Sequence, residues 1–481
     1  MAAKQPRPIT DDWRWIHKKL APFISLQAIC TAYLLGASVL GLADPLVIRW
    51  IIDRGLRQTR WTPILLALAL LLGLFAIRSF LLFVGNMMSA SILLRWTFNI
   101  RLSLFDKLQS LDAHFYSSHP VGDLVLRMEQ DVDLIGAVSV DLFPALIRIS
   151  LTTIILLGIM IYMDWRLTCL VVPFVPLFVL LRSHFRSVLE RASDIARRSI
   201  GERCSLLNEW LAGVLQIQLL DAGMGFKRRY GKGSVEAIRT TLDQRRVEMS
   251  YTVTTQAILA LVTASVLAAG SFEVLRGILT VGGYVAFYSY LIRLFDPLSA
   301  AIETYARVKR ASGSIRRIRE LEATCPLVRE IADPEALVLP VPHEIEGVRI
   351  QFAYPRQPDT LHSVNLRIKR GEKVGLIGRS GSGKSTIGKL LIRMYDPATG
   401  RILLDGRDIS RLRIEDLRGL ISLVSQNPVL FSGSIHENIL ICKPTATMEE
   451  LAELSHLTCF DSVVAKFPDK WEHRLGPGGV G

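Results

Sequence analysis

One run of residues carries the most specific chemistry in the chain: Gly378, Arg379, Ser380, Gly381, Ser382, Gly383, Lys384, Ser385 and Thr386. It follows an aliphatic stretch at 373–377 and precedes a helix-forming one at 387–394. Glycines at these positions let the backbone curl with its N–H groups facing inward, and the dipole of the following helix favours negative charge there. The pattern is a cradle for nucleotide phosphates, in which Lys384 binds the β- and γ-phosphates and Ser385 ligates Mg²⁺. Its specificity comes from context, because the glycine run must leave a strand and enter a helix.

The elements that hold this loop belong to a soluble region. Short β-rich runs at 348–352, 364–368, 373–377, 401–404 and 421–424 surround one strong helix pattern, which predicts an α/β domain with 373–377 as a buried strand. Upstream, scattered prolines at 326, 334, 340 and 342 break every helical period, so a linker runs from 324 to 345.

The first three hundred residues read differently. About 20 apolar residues are needed to cross a bilayer, and 22–43, 63–84, 142–163, 251–269 and 281–301 supply them. A sixth span, 167–181, is short and contains Pro173 and Pro176, but the polar hinge Asp164, Trp165, Arg166 pairs it with the span before it. Counting it places the basic N-terminus, 95–133, 182–246 and everything beyond 307 on one side, as the positive-inside rule requires. Arg49, Arg54, Arg57 and Arg60 oppose that topology, because they fall in the first outer loop. Arg78, inside the second span, reads either as a packing group that snorkels or pairs or as part of a transport path.

The two inner stretches between spans keep apolar positions at helical spacing, which predicts that the spans continue as long cytosolic arms. Breaks are expected at Ser117, Ser118, His119, Pro120 and Gly122, and again at Gly223 and Gly225.

A net charge of +13 admits nucleic acid or acidic lipid as a partner, but the basic residues flank apolar runs and no zinc-finger or aromatic sheet motif accompanies them. Nucleic-acid binding is therefore not expected. Six scattered cysteines with no CxxC pair read as free thiols. The polar N-terminus, with Trp13 and Trp15, lacks the pattern of a cleaved signal peptide.

With these residues in hand, the chain resembles the ATP-binding-cassette (ABC) exporters over essentially its whole length. Phe352-Ala353-Tyr354-Pro355 is similar to the family's aromatic loop, which implies that Tyr354 stacks on adenine. Ser422-Leu423-Val424-Ser425-Gln426-Asn427-Pro428 resembles the glutamine loop, implying that Gln426 senses Mg²⁺ or the attacking water. Phe431-Ser432-Gly433-Ser434-Ile435 and Glu437-Asn438-Ile439 continue the pattern and would face the transmembrane arms. Phe115 to Gly122, with Asp123, Leu124, Arg127 and Asp131, is similar to the first intracellular loop; 219–230 matches the second more loosely, without an acidic residue near Met224.

The resemblance implies a multidomain half-transporter of the cytoplasmic membrane. Its parts are a cytosolic segment at 1–20, an all-α six-helix transmembrane domain at 21–323, the linker, and an α/β P-loop NTPase domain at 346–481. It further implies ATP and Mg²⁺ as cofactors, a homodimer or a heterodimer with another half-transporter, and export of an amphipathic or hydrophobic substrate. The family also uses a Leu-Ser-Gly-Gly-Gln signature, a Walker B aspartate, a catalytic glutamate and a switch histidine. The sequence stops near Leu475-Gly476-Pro477, which resembles the stretch just before that signature, with Pro477 where a glutamate is usual. The domain is accordingly expected to be incomplete, and a non-catalytic protein that dimerises without transporting is the alternative.

Overall fold

The computed structural model describes residues 9–56, 61–331, 333–336, 342–354, 359–426 and 428–476. Arg57, Arg60, Pro340, Pro355, Asn427 and Pro477, singled out above, lie outside them. The chain divides into two units, one built from residues up to 109 and from 122 to 324, the other from 110–121 and the residues beyond 324.

The first unit is all helix: α1 (Ile9–Leu20), α2 (Ile24–Gly41), α3 (Asp44–Trp50) and α4 (Trp61–Gln109) come first. The short α5 (Ala113–Ser118) belongs to the second unit, and α6 (Val121–Leu126) and α7 (Val132–Met163) follow it. Then come α8 (Trp165–Val171), α9 (Phe174–Ala212), α10 (Val214–Leu219), α11 (Gly223–Leu275) and α12 (Val281–Ala323). Among the described residues, six helical stretches are long and apolar enough to cross a membrane, the fourth of them, Trp165–Ala212, being the one that carries Pro173 and Pro176. Their outward faces are greasy: Leu66, Leu72, Phe75, Phe80 and Phe83 of α4 are exposed, which a bilayer tolerates and water does not. The spans run on into the inner arms as long helices, α4 reaching 49 residues and α11 reaching 53.

The core of this unit follows helical spacing along α12, where Phe287, Tyr290, Leu291, Leu294 and Phe295 meet Leu156 and Met160 of α7 and Val262 and Val266 of α11. The first span is broken at 42–43. Pro45 has no N–H to offer the Gly41 carbonyl four residues back, so that carbonyl is left open. An Arg293 Nη1 donates to it, and Tyr290 Oη donates to the Leu42 carbonyl at 2.5 Å. The remaining Arg293 nitrogen pairs with Asp44 at 3.0 Å, and Arg78 Nη1 reaches the same carboxylate oxygen at 3.4 Å. Arg78 is thus a pairing group between helices. Of the outer arginines, Arg49 pairs with Asp53 at 3.5 Å.

The breaks in the arms fall close to expectation at the first site and differ at the second. α5 ends at Ser118 and α6 begins just after Pro120, which suits a helix start. At the second site Gly213 ends α9 and the chain turns at 220–222, with Asp221 at φ 49°; Gly223 and Gly225 lie inside the first turn of α11. Exposed glycines with open space around them impose no break by themselves.

The second unit holds an antiparallel sheet in the order β2-β1-β3-β4, made of β1 (Glu344–Ala353), β2 (Asp359–Lys369), β3 (Thr399–Leu404) and β4 (Arg407–Asp408). Central β1 sets Ile345 opposite both Ile368 of β2 and Leu404 of β3. Packed on it is α13 (Lys384–Leu391), and the core is Ile350, Phe352, Leu361, Leu390, Tyr395, Ile402 and Leu404, with Leu417 from α14 (Ile414–Leu420). Three of the five expected strands are therefore present. The other two are not: 373–377 and 421–424 carry no strand, Val374 and Leu376 are half exposed and Ile377 is fully exposed. An apolar run becomes a strand only when a neighbour accepts its N–H and C=O groups, and the described residues place none beside either run.

The 324–336 stretch is docked rather than loose. Glu335 bridges to Leu412 and bonds Arg411 and Arg413, Glu330 accepts from Ile414 N at 2.6 Å, and the Arg329 carbonyl accepts from buried Arg393 at 2.8 Å.

Candidate functional site

The glycine run folds locally as its composition demands. Gly381 and Gly383 sit at φ 82° and 87°, in the left-handed region that side-chain-bearing residues avoid. A Cβ on Gly383 would also come within 2.5 Å of Leu361 Cδ2. Ser382 N turns back to the Arg379 carbonyl at 3.1 Å, and α13 begins at Lys384 with its first N–H groups uncommitted within the helix. Gly378, Arg379, Ser380 and Ser382 are exposed along the loop, as is Ser385.

The Lys384 ammonium is folded over the loop, donating to the Gly378 and Arg379 carbonyls at 2.8 Å each. A cation held by two neutral carbonyls at the mouth of a helix N-terminus makes a strong anion receptor, because both the charge and the dipole favour phosphate oxygens. A cavity of about 710 Å³ adjoins it, lined by Lys384, Ser385 and Gln426 together with Leu366, Val374 and Leu423. Three residues expected at the site thus line one space.

Tyr354 lies on the other side of α13. Its hydroxyl meets Thr386 Oγ1 at 3.2 Å, and Phe352 and Tyr395 approach its ring edge-on at 5.0 and 5.4 Å. Lys389 Nζ stands 5.7 Å over the same ring. Thr386 is buried, so its hydroxyl serves this aromatic cluster. Lys389 and Tyr395 were not legible as site residues; their only signal was proximity to the loop in a domain whose pairings were unknown. Burial and the neighbouring Tyr354 push the Tyr395 phenol up from its ordinary value.

A second cluster lies where 110–121 joins this unit. Asp112 caps α5 by accepting from Phe115 N at 3.0 Å, and its other oxygen accepts from Val328 N at 3.0 Å and from Leu327 N. Burial alone would raise this carboxyl, but the N–H donors of Val328, Phe115 and Leu327, with His114 nearby, hold it below the usual carboxylate range. Ala113 packs on the sheet core and Tyr395 Oη donates to its carbonyl at 3.5 Å. Farther along, Ser434 and Glu437 form a reciprocal cap on a helix at Ile435–Leu440, and Asn438 Nδ2 donates to the Phe431 carbonyl at 2.9 Å.

Comparison with known proteins decides the family. The family model of the ABC transporter transmembrane region matches 28–298, and the family model described as ABC transporter matches 361–470. The chain belongs to the ABC exporters. Among its relatives, the uncharacterized ABC transporter ATP-binding protein YwjA of Bacillus subtilis is 28% identical across 93% of this chain and 77% of its own length. An ATP-dependent lipid A-core flippase of Thiobacillus denitrificans is 29% identical across 88% of this chain and 72% of that protein. A mitochondrial ATP-dependent permease of Saccharomyces cerevisiae is 28% identical across 79% of this chain and 49% of its own length. This ABC exporter is a half-transporter, its transmembrane and nucleotide-binding regions fused in one chain, and half-transporters of the family typically dimerise. It is a multi-pass membrane protein with its nucleotide-binding region in the cytosol, it binds ATP, and its general class is ATP-driven export.

Proposed function

We propose that the chain exports an amphipathic or hydrophobic substrate across the cytoplasmic membrane by alternating access, driven by ATP at paired nucleotide-binding regions. The observation that carries this reading is the Lys384 ammonium lying over the loop carbonyls beside a cavity shared with Ser385 and Gln426. In this assignment, Gly378, Arg379, Ser380, Gly381, Ser382, Gly383, Lys384 and Ser385 hold the phosphates, buried Thr386 ties the loop to Tyr354, Tyr354 meets adenine, and Ser385 with Gln426 holds Mg²⁺. Mg²⁺ would neutralise charge developing on the transferring phosphoryl group.

The proposed domains are a cytosolic segment at 1–20, a transmembrane domain at 21–323, a linker at 324–345 and a nucleotide-binding domain at 346–481. The working unit is a homodimer or a heterodimer with another half-transporter. Closure of the two nucleotide-binding regions would then be converted by the helical arms into opening of a cavity between two sets of spans.

One observation favours a second reading, a dimerising membrane protein that does not turn over: the stretch feeding the loop, 373–377, is exposed and unpaired among the described residues. ATPase activity in lipid separates the two. The export reading expects turnover that Lys384→Ala lowers by about 100-fold or more, since one preorganised contact to a developing charge is worth that much. Absence of turnover in the unaltered protein would leave the second reading standing.

A further inference from the structure

At the outer end of the membrane unit the chain turns from α7 into α8 at Asp164, and the last turn of α11 packs beside that hairpin with Glu273. Both acids are out of water: Asp164 is 9% exposed and Glu273 is 8%. Their carboxyl groups are in hydrogen-bonding contact with each other. Two ionised carboxylates do not share such a place, because each would lose its hydration and face a like charge. One proton between them turns the repulsion into a bond.

The donors around the pair decide which acid carries that proton. Asp164 Oδ1 caps α8, accepting from Arg166 N at 2.8 Å and from Leu167 N at 3.1 Å, and N–H donors of this kind favour the ionised form. Glu273 has no such support, since its Oε2 is sealed from solvent without a hydrogen-bond partner. Neighbouring charges give little relief. Arg166 attracts Glu273 but is itself exposed, with its guanidinium 5.9 Å from the Trp165 ring. Arg276, just past the end of α11, lies over the Phe272 ring at 4.0 Å. From α12 comes Tyr284, whose hydroxyl donates to the Leu267 carbonyl at 3.1 Å and meets Ser271 Oγ at 3.2 Å. Tyr162 of α7 and Cys169 of α8 are exposed, and α9 carries no ionisable side chain over 174–181.

We propose that Asp164 and Glu273 form a proton-binding site at the outer face of the membrane unit, the proton residing on Glu273 and donated to Asp164, so that it latches the α7–α8 hairpin to α11. When the proton leaves for the outer water, two negative charges remain in the buried pair and push the hairpin and α11 apart, next to the core that Leu167 and Val171 share with Val262 and Val266. A rise in outer pH is the signal that the site reads. No nucleotide takes part, so the site stands apart from the ATP-driven export reading.

Infrared difference spectroscopy of the full chain in detergent, titrated upward from neutral pH, tests the assignment. Exposed carboxyls are ionised at neutral pH, so the C=O stretch of a protonated carboxyl marks a buried one. The unaltered protein is expected to show this band and to lose it reversibly as the pH rises. Glu273→Gln keeps a donor toward Asp164 and abolishes the band, whereas Asp164→Asn offers Glu273 an amide donor, so that Glu273 ionises and the band is lost by a second route. Glu248→Gln, farther back on α11 where Glu248 pairs with Arg245 at 2.7 Å, leaves it intact. The latch itself is read by thermal unfolding: the midpoint of the unaltered protein falls over the pH range in which the band disappears, and that fall is missing from Glu273→Gln. The two site variants remove the band in different ways, so misfolding of one leaves the other decisive. Absence of the band from the unaltered protein, its survival in either site variant, or a midpoint that sodium or calcium chloride raises in the unaltered protein and not in Glu273→Gln, which would put a metal cation in the pair, would overturn the assignment.

Discussion

Helix α13 has two sides, and they meet different neighbours. On one, Leu390 is completely buried with Ile350, Phe352 and Ile402 of the antiparallel sheet. On the other, Ile387 and Leu391, which also touch the edge of that core, line the 710 Å³ cavity, whose far wall includes Val374, Leu376 and Val424, the last 93% exposed. The two sides carry similar residue types, so hydrophobicity does not separate them. What differs is the ladder: β1 has a partner on each edge, whereas 373–377 and 421–424 have none among the described residues. The loop between the two sides is shaped all the same, because positive φ at Gly381 and Gly383 and the fold-back of Lys384 are properties of a few consecutive residues.

The largest test of that contrast is a matched pair of truncations. Ile350→Ala on the closed side is expected to cost about 2–5 kcal/mol, whereas Leu376→Ala on the open side stays within about 0.5 kcal/mol. Thermal unfolding of the full chain in detergent reads both, and equal losses would mean that the open side is packed in solution. Next in size is the loop itself. Gly383→Ala forces a side chain into left-handed backbone and into Leu361, and is expected to weaken ATP binding about 30-fold, while Gly375→Ala, with open space around it, leaves affinity unchanged. Fluorescent nucleotide titration decides between them.

The smallest effect concerns the docked segment. Because the folded Asp112 carboxyl is held below its usual value, its contribution is complete above about pH 4 and is lost as pH falls through the folded value. Asp112→Asn replaces one accepting oxygen by a donor facing the N–H groups of the 327–328 segment or of Phe115, for a loss of about 1 kcal/mol at neutral pH. The difference in melting midpoint between the two proteins should hold down to about pH 4 and narrow as the pH falls below it; a gap that stays constant on further acidification would assign the loss to packing.

Legibility in the sequence divides along the same line as the two sides of α13. The shape of the glycine-rich loop, the short span with Pro173 and Pro176 and the turn at Pro120 were readable because each is decided within about a dozen residues. The strand at 373–377 was read from an apolar run that describes equally well a strand and an unpaired segment, and only the neighbours choose. Asp112 was overlooked because its donors lie 215 and 216 residues away, and no periodicity announces such a meeting. Gly223 and Gly225 misled for the converse reason, since glycine permits a break without requiring one. Tyr354, Ser385 and Gln426 were individually visible, but their distribution about α13, two lining the cavity and one in the aromatic cluster, follows from packing that composition does not encode.

The broken first span has a mechanical consequence. A joint in a helix normally swings freely, limited only by the lipid around it. Here Pro45 fixes where the joint is, and the loose carbonyls on its near side are fastened by Tyr290 and Arg293 of the last span, 249 residues farther along the chain at the Asp44 clasp. The pivot belongs to one helix and its pin to another, so the two ends of the membrane unit's sequence turn together.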